Sequence, residues 1–266
     1  MKCNITENNW RWNTEVFLRL IQRDMRVLRS TLQRRVINTI IWTAVLVYVF
    51  EYVGLSSIVG LGLFIAASES VAAGLMRTFS NVMRLIGDLQ GPRALFYYLT
   101  LPIPQWLVFV AMGVSTSLQL MIVDALILPA AKLVLWDSFH LTFMGFFKVI
   151  CVFICAHLLY GAFFLLFASF ASSMNGVASL RMRIADPLFW TGAYFFSWHS
   201  LYTKSHILGY LNLLNPLVYA CEGMRSAIFG NPESLPVWLC CVALLAFTAV
   251  IGTIGTRRMM KKVDCL

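Results

Sequence analysis

VWLCCVALLAFTAVIGTIGTRRMMKK, residues 237–262, decides what kind of molecule this is. From Val237 to Gly255 no side chain is charged, about the length a helix needs to cross a hydrocarbon core of roughly 30 Å. Cations then arrive together at Arg257, Arg258, Lys261 and Lys262. An apolar run closed by cations reads as a membrane span whose basic end stays in the cytoplasm.

The rest of the chain repeats this theme. Of 266 residues 59% are hydrophobic and only 12% charged, and the mean hydropathy of +0.76 lies far outside the balance of a soluble domain. Runs of comparable character fall at 36–53, 58–76, 105–128, 148–170 and 184–200. The expectation is an all-α polytopic membrane protein with six transmembrane helices and short extracytoplasmic helices before the last span. The first 35 residues are polar and basic, and the run after them lacks a small-residue cleavage site, so it reads as a retained span.

The formal charge of +9 would suit nucleic acid, but the placement of the cations argues for membrane topology instead. All of the 21 lysines and arginines except Lys132, Lys148, Lys204 and Arg225 fall in 1–35, 77–104, 172–183 or 257–266. That distribution puts both termini in the cytoplasm, with lipid and not nucleic acid as the surrounding partner. Three regions follow: a cytoplasmic N-terminal segment 1–35, a transmembrane domain 36–256 and a basic tail 257–266. Within the domain, 77–104 is a cytoplasmic segment broken by Gly91-Pro92 and Pro102, and 201–236 is an outer helical segment.

Asn13 and Thr14 cap an expected amphipathic helix running to about Arg35. Phe17, Ile21, Met25, Leu28 and Leu32 form its apolar stripe, while Arg19, Arg23, Arg26, Arg29 and Arg34 populate the other faces. Such a helix lies in the cytoplasmic interface beside anionic headgroups; the alternative is a solvated basic helix with its stripe packed on protein.

Motifs for chemistry are missing. There is no H-E-x-x-H, no G-x-S-x-G and no Cys-x-x-Cys, and none of the six lysines follows the glycines of a phosphate loop. The chain is therefore not expected to be an enzyme or to bind ATP itself. The seven cysteines are scattered, and Cys151, Cys155 and His157 lie on different faces without acidic partners, so neither a disulfide scaffold nor a metal site is expected.

Two carboxylates fall inside apolar runs. Glu69 belongs to the second, where an ionised group is costly unless it faces protein, water or a partner. It reads either as a lining or proton-linked residue or as a structural hydrogen-bonding group. Asp124 sits toward the outer end of the third run, and Glu51 at the outer end of the first.

The stretch LLNPLVYACEGMR, 213–225, interrupts the apolar sequence. Asn215 is a good N-cap, Pro216 suits the first helical position, and Gly230-Asn231-Pro232 stops the helix after Phe229. At roughly 1.5 Å per residue this helix reaches about 21 Å, too short to cross. Leu217, Ala220, Cys221, Met224, Ala227 and Ile228 fall on one side, opposite Glu222, Ser226 and Tyr219, with Arg225 at the flank. It should lie in the outer interface or dip in and return. Glu222 and Arg225, one turn apart, read either as a weak surface pair on an outer lid or as a gate holding the helix against a twin.

This pattern resembles the type-2 permeases of ATP-binding-cassette exporters, whose last span follows Asn-Pro-Leu, an aromatic, then an acidic residue and an arginine one turn apart. Here these are Asn215, Pro216, Leu217, Tyr219, Glu222 and Arg225. The family's cytoplasmic Glu-Arg-Glu-x-Gly-Thr and Ser/Thr-Pro-Ile are matched only at Arg84, Gly87 and Pro102-Ile103; Met83 and Leu85 replace the acidic residues.

The resemblance implies a transmembrane permease subunit of an ATP-driven exporter in the plasma membrane (the bacterial inner membrane). It implies a second permease, identical or related, and a cytoplasmic ATP-binding cassette subunit that supplies ATP and Mg, with no cofactor on this chain. Arg19, Arg23, Arg84, Gly87, Asp88 and Arg93 are the expected coupling residues. Glu69 and Asp124 are the intramembrane polar groups, and the 216–229 helix is the outer gate. The cargo would be an amphiphile, lipid, drug or glycan. The aromatic row Trp190, Tyr194, Phe195, Phe196 and Trp198 could stack on sugars or form an interfacial belt. A proton-coupled secondary transporter using Glu69 and a non-catalytic membrane scaffold are the rival readings.

Overall fold

The computed structural model describes residues 10–53, 60–91, 94–100, 103–136, 143–230 and 234–264. Among the described residues all regular structure is helical. Helix α1 spans Trp10–Tyr48 and continues into a π-helical turn at Val49–Val53. The amphipathic segment and the first span, expected as two elements, are thus one uninterrupted helix. Its basic half packs on protein through Leu20 and Leu28, both buried, while Phe17, Ile21, Met25 and Leu32 are only partly covered.

Helix α2 spans Leu61–Gln90 and α3 spans Ala94–Leu99. Helix α2 runs from the second expected span into the expected cytoplasmic segment, carrying Glu69, Arg77, Arg84 and Asp88 on one continuous helix that ends at the expected Gly91. Glu51 ties the start of α2 to the end of α1, because its carboxylate accepts the Gly62 N–H at 2.8 Å, one of the orphan donors of a helix N-terminus. Helices α4 (Gln105–Asp124) and α5 (Ile127–Leu135) form a nearly continuous column, with Pro129 in the first turn of α5 where no N–H is needed. Pro129 and Lys132, expected in an outer loop, are therefore helical.

Helix α6, Phe143–Phe170, is the central pillar and packs on α2, α4 and two later helices. Its crossing with α4 is set by small residues: a Cβ on Gly161 would collide with the Gly113 carbonyl and Ser117 Oγ. Close backbone approach of this kind is how helices associate where lipid removes the usual hydrophobic drive. A stack of Phe79, Phe167 and Phe163, with ring centroids 4.8 and 5.2 Å apart, fills the space between α2 and α6.

Helices α7 (Met174–Leu180) and α8 (Asp186–Thr191) are joined by a π-helical turn, Arg181–Ala185. Helical structure stops at Thr191, so the fifth expected span, 184–200, is not a single helix. Short helices α9 (Trp198–Lys204) and α10 (His206–Asn212) follow, then α11 (Pro216–Phe229) and α12 (Val237–Asp264). The last helix absorbs the basic tail, where Lys262 Nζ donates to the Ala168 carbonyl at 2.8 Å and to that of Ala171, capping α6. Arg258 stacks over Phe170 at 4.1 Å.

Among the described residues four helical stretches are long and apolar enough to cross a membrane: Trp12–Val53, Gln105–Leu135, Phe143–Phe170 and Val237–Asp264. Ile37, Ile41 and Val45 on α1 and Trp238, Val242 and Leu245 on α12 remain exposed, an apolar surface that suits lipid rather than water. The turn expected at 54–57, Arg93, Pro102, Asn231-Pro232, Cys3 and Cys265 lie outside the described residues.

Candidate functional site

Helix α11 has the bounds its sequence dictates. Asn215 Oδ1 accepts the Leu217 N–H at 3.0 Å, Pro216 occupies the first turn, and Gly230 closes the helix at φ 64°, a left-handed turn that glycine adopts without a Cβ penalty. Asn215 Nδ2 also donates to the Leu188 carbonyl at 2.7 Å and Thr191 Oγ1 at 3.0 Å, fastening α11 to the end of α8. Tyr219 is half-buried, its ring 6.1 Å from that of Phe247.

Of the two settings expected for α11, flat in the outer interface or dipping in and returning, its burial disfavours the flat one. It is wedged among α2, α6 and α12, and both its apolar side and its charged pair are buried. Glu222 is 1% exposed and Arg225 2%, so a weak surface pair is ruled out. Their ion pair is 2.7 Å long, and Glu222 Oε1 also accepts the Trp198 N–H at 2.9 Å.

Arg225 reaches further than its pair. Its guanidinium donates to Ser68 Oγ on α2 at 2.8 and 3.1 Å and to the carbonyls of Ala193, Tyr194 (3.1 Å) and Phe196 (3.0 Å), and stacks on Phe64 at 3.8 Å. Residues 192–197 are the irregular chain where the fifth expected span breaks. Non-helical backbone is tolerated at membrane depth only where protein satisfies its polar groups. Here one planar cation with five donors supplies partners to three of the carbonyls. Burial lowers the Arg225 pKa from its ordinary value, with Cys221 and Glu222 opposing that shift.

Glu69, one residue after Ser68, is 5% exposed. Its Oε1 accepts from Trp42 Nε1 of α1 at 3.1 Å and its Oε2 from the Tyr194 hydroxyl at 2.7 Å. Two turns along the same helix, Arg77 forms an ion pair with fully buried Asp124 of α4, and His157 Nε2 of α6 lies 3.1 Å from the second oxygen of that carboxylate. His157 Nδ1 lies 2.8 Å from the Phe153 carbonyl, which can only accept, so Nδ1 carries a proton. Two charged groups of α2 thus each find partners: Glu69 in Trp42 of α1 and Tyr194, and Arg77 in Asp124 of α4.

Beside this seam lies a cavity of about 910 Å³ between α1, α2, α4 and the α8 region. Asn38, Thr39, Trp42 and Leu46 wall it from α1; Glu69, Ala73, Arg77 and Ser80 from α2; Phe189, Trp190, Tyr194 and Phe195 close the far side. The size is that of a pocket for a drug-sized molecule.

Of the expected coupling residues, Arg23, Arg84 and Asp88 come together around a smaller cavity of about 280 Å³ with Leu20 and Tyr98. Arg23 pairs with Asp24 and stacks on Tyr98 at 3.9 Å, and Asp88 Oδ2 accepts the Leu95 N–H at 2.9 Å, starting α3. Arg19 instead makes an exposed pair with Glu15 on its own helix, and Gly87 abuts Met174 of α7. No group of three or more metal-ligating side chains occurs among the described residues.

Trp42, Ser68, Arg77, His157 and Tyr194 join the site without having been singled out for it by the sequence. Arg77 had a signal: it follows Glu69 by eight residues, two helical turns, on the same face. Tyr194 and His157 had none, since their partners are remote in the chain. No protein-family model matches this chain, and no curated protein is significantly similar to it.

Proposed function

We propose that this chain is the transmembrane permease subunit of an ATP-driven exporter, carrying an amphiphile out of the cytoplasm. The observation that carries the reading is the cavity of about 910 Å³ walled by α1, whose second half is apolar, and by α2, which contributes buried Glu69 together with Arg77. A pocket lined by both aromatic and ionised groups inside a membrane bundle fits a passage for a molecule with a polar and an apolar part.

Three further features support it. The chain has no phosphate loop, so nucleotide-driven work requires a second subunit. The basic half of α1, with Arg23, Arg84, Asp88 and α3, forms a charged end suited to docking that subunit in the cytoplasm. The Asn215 to Arg225 sequence pattern resembles that of type-2 exporter permeases. In this reading both termini are cytoplasmic, α2 and the broken α7–α8 segment complete six membrane-embedded segments, and a second permease faces the first.

The proposal requires that the chain purified alone in detergent hydrolyse no ATP. Hydrolysis by a preparation free of any other polypeptide would overturn it. One observation favours a second reading: Glu69 stands in the cavity wall and could take up a proton. A proton-coupled carrier would sustain flux after ATP depletion and lose it in Glu69→Gln; the exporter stops when ATP is depleted.

A further inference from the structure

The lining of the large cavity is sorted by charge along its length. On α1 it runs from Arg35 to Leu46, about 16 Å at 1.5 Å per residue. Arg77 and Ser80 on α2, with Arg181 and Asp186 across the gap, line it together with Arg35. Toward the other end α1 contributes Trp42 and Leu46, α2 contributes Glu69, and the aromatics Trp190, Tyr194 and Phe195 face them. The antiparallel register of α1 and α2 is fixed by the Trp42–Glu69 hydrogen bond and by the Glu51–Gly62 contact. Arg35 and Arg77 therefore share one end.

Two of the three arginines have carboxylate partners. Arg77 is paired with Asp124 behind the cavity wall, and Arg181 lies 3.6 Å from Asp186. Arg35 has no carboxylate within ion-pair distance among the described residues, and its charged neighbours Arg34 and Arg84 are also cations. A half-buried guanidinium in that setting is an anion site with its donors free. At the opposite end Glu69 is already engaged by two donors, Trp42 Nε1 and the Tyr194 hydroxyl, and the aromatic walls are left to an apolar chain.

We infer that the cavity binds an amphiphile with an anionic head, a phosphate or a group of like charge and shape, seated at Arg35 with Arg77 and Arg181 beside it and with its apolar chain against Trp42, Trp190 and Phe195. This deepens the exporter reading and rests on it only for the direction of movement. A planar arginine fork favours a tetrahedral oxyanion over a neutral sugar or a cationic head. The role of Arg35 is to fix the head; the aromatic end of the cavity sets which way round the molecule lies.

The test is binding, without any ATPase. The full chain in phosphatidylcholine nanodiscs is titrated with radiolabelled decyl phosphate below its micellar concentration, with decyl maltoside, decyltrimethylammonium and inorganic phosphate as competitors. The expected result is saturable binding that neither the neutral amphiphile, the cationic amphiphile nor free phosphate displaces at equal concentration. Arg35→Gln should weaken it about tenfold, the loss of one charge-assisted contact. Arg35→Lys should keep most of it, and Arg26→Gln, an exposed cation outside the cavity, should leave it unchanged. Size-exclusion profiles matching wild type establish that Arg35→Gln is folded. Wild-type affinity in a folded Arg35→Gln, or equal displacement by the cationic amphiphile, overturns the inference; displacement by inorganic phosphate alone assigns the site to a free anion and overturns it too. Because no nucleotide is involved, failure here leaves the exporter reading standing, and failure to find an ATPase partner leaves the binding result standing.

Discussion

The Arg225 guanidinium donates to the carbonyl of Ala193, a residue held at φ 56° in the left-handed region that non-glycine residues seldom adopt. The side chain of one short helix thereby fixes a strained turn 32 residues earlier, at the point where a run of aromatics stops being helical. Glu222 holds the arginine from the next turn, so the acidic-basic pair serves the fold first: it is a buried clamp between α11, α2 and the 192–197 chain.

Removing one member of such a clamp leaves the other charge buried and unpaired. Arg225→Ala should lower the thermal stability of the detergent-solubilised protein by about 3–5 kcal/mol, and Arg225→Lys by less, since a lysine retains charge but not the fork that reaches three carbonyls. The Glu222→Ala, Arg225→Ala double variant should be less unstable than the sum of the singles. Additive losses on thermal unfolding would show that the two residues do not act as a pair.

The α4–α6 crossing makes a sharper packing prediction. Gly161→Ala places a methyl group against the Gly113 carbonyl and should cost about 1–3 kcal/mol. Gly252→Ala on α12 would meet only Ala162 Cβ at an ordinary 3.5 Å and should be neutral. Equal melting temperatures for the two variants would contradict the crossing as described.

Cys221 is fully buried on α11, and burial pushes its thiol up to about 12 from the ordinary value. Only the thiolate is nucleophilic, and its fraction grows as pH approaches the pKa from below. Between pH 7 and pH 9 a free thiol gains much reactivity, whereas Cys221 should stay protonated and gain none. A variant keeping Cys221 as its single cysteine should resist N-ethylmaleimide across that range and react after denaturation; labelling of the folded protein at pH 9 would place this thiol in contact with solvent.

Tyr194→Phe deletes one of the two donors to Glu69 while preserving the ring. A loss of about 1–3 kcal/mol is expected from the unsatisfied carboxylate oxygen, and Glu69→Gln should be tolerated better in the Tyr194→Phe background than alone. Stability unchanged in Tyr194→Phe would mean that water reaches Glu69.

These relationships explain which features could be read in advance. Helix α11 begins and ends where Asn215, Pro216 and Gly230 direct, because capping is decided by residues within one turn. The helical, apolar character of the chain was equally legible, since composition and run length carry it. The division into spans was not. Arg77 lies inside α2 and not at its end, and the carboxylate that receives its charge, Asp124, is 47 residues away. Residues 192–200 look like the end of a span until Arg225 is seen holding their carbonyls. The Glu222–Arg225 spacing announced an ion pair, but whether it lay in water or in the core depended on α2, α6 and α12 closing around it.

The central claim, that this chain is the membrane half of an ATP-driven exporter, is tested most directly by isolating it from its native membrane in mild detergent and assaying the preparation for ATP hydrolysis. The account predicts a co-purifying subunit with a phosphate loop, hydrolysis that disappears when the loop lysine of that subunit is replaced, and no hydrolysis by this chain alone. A chain that emerges without any nucleotide-binding partner and sustains transport on an ion gradient after ATP is depleted would contradict it.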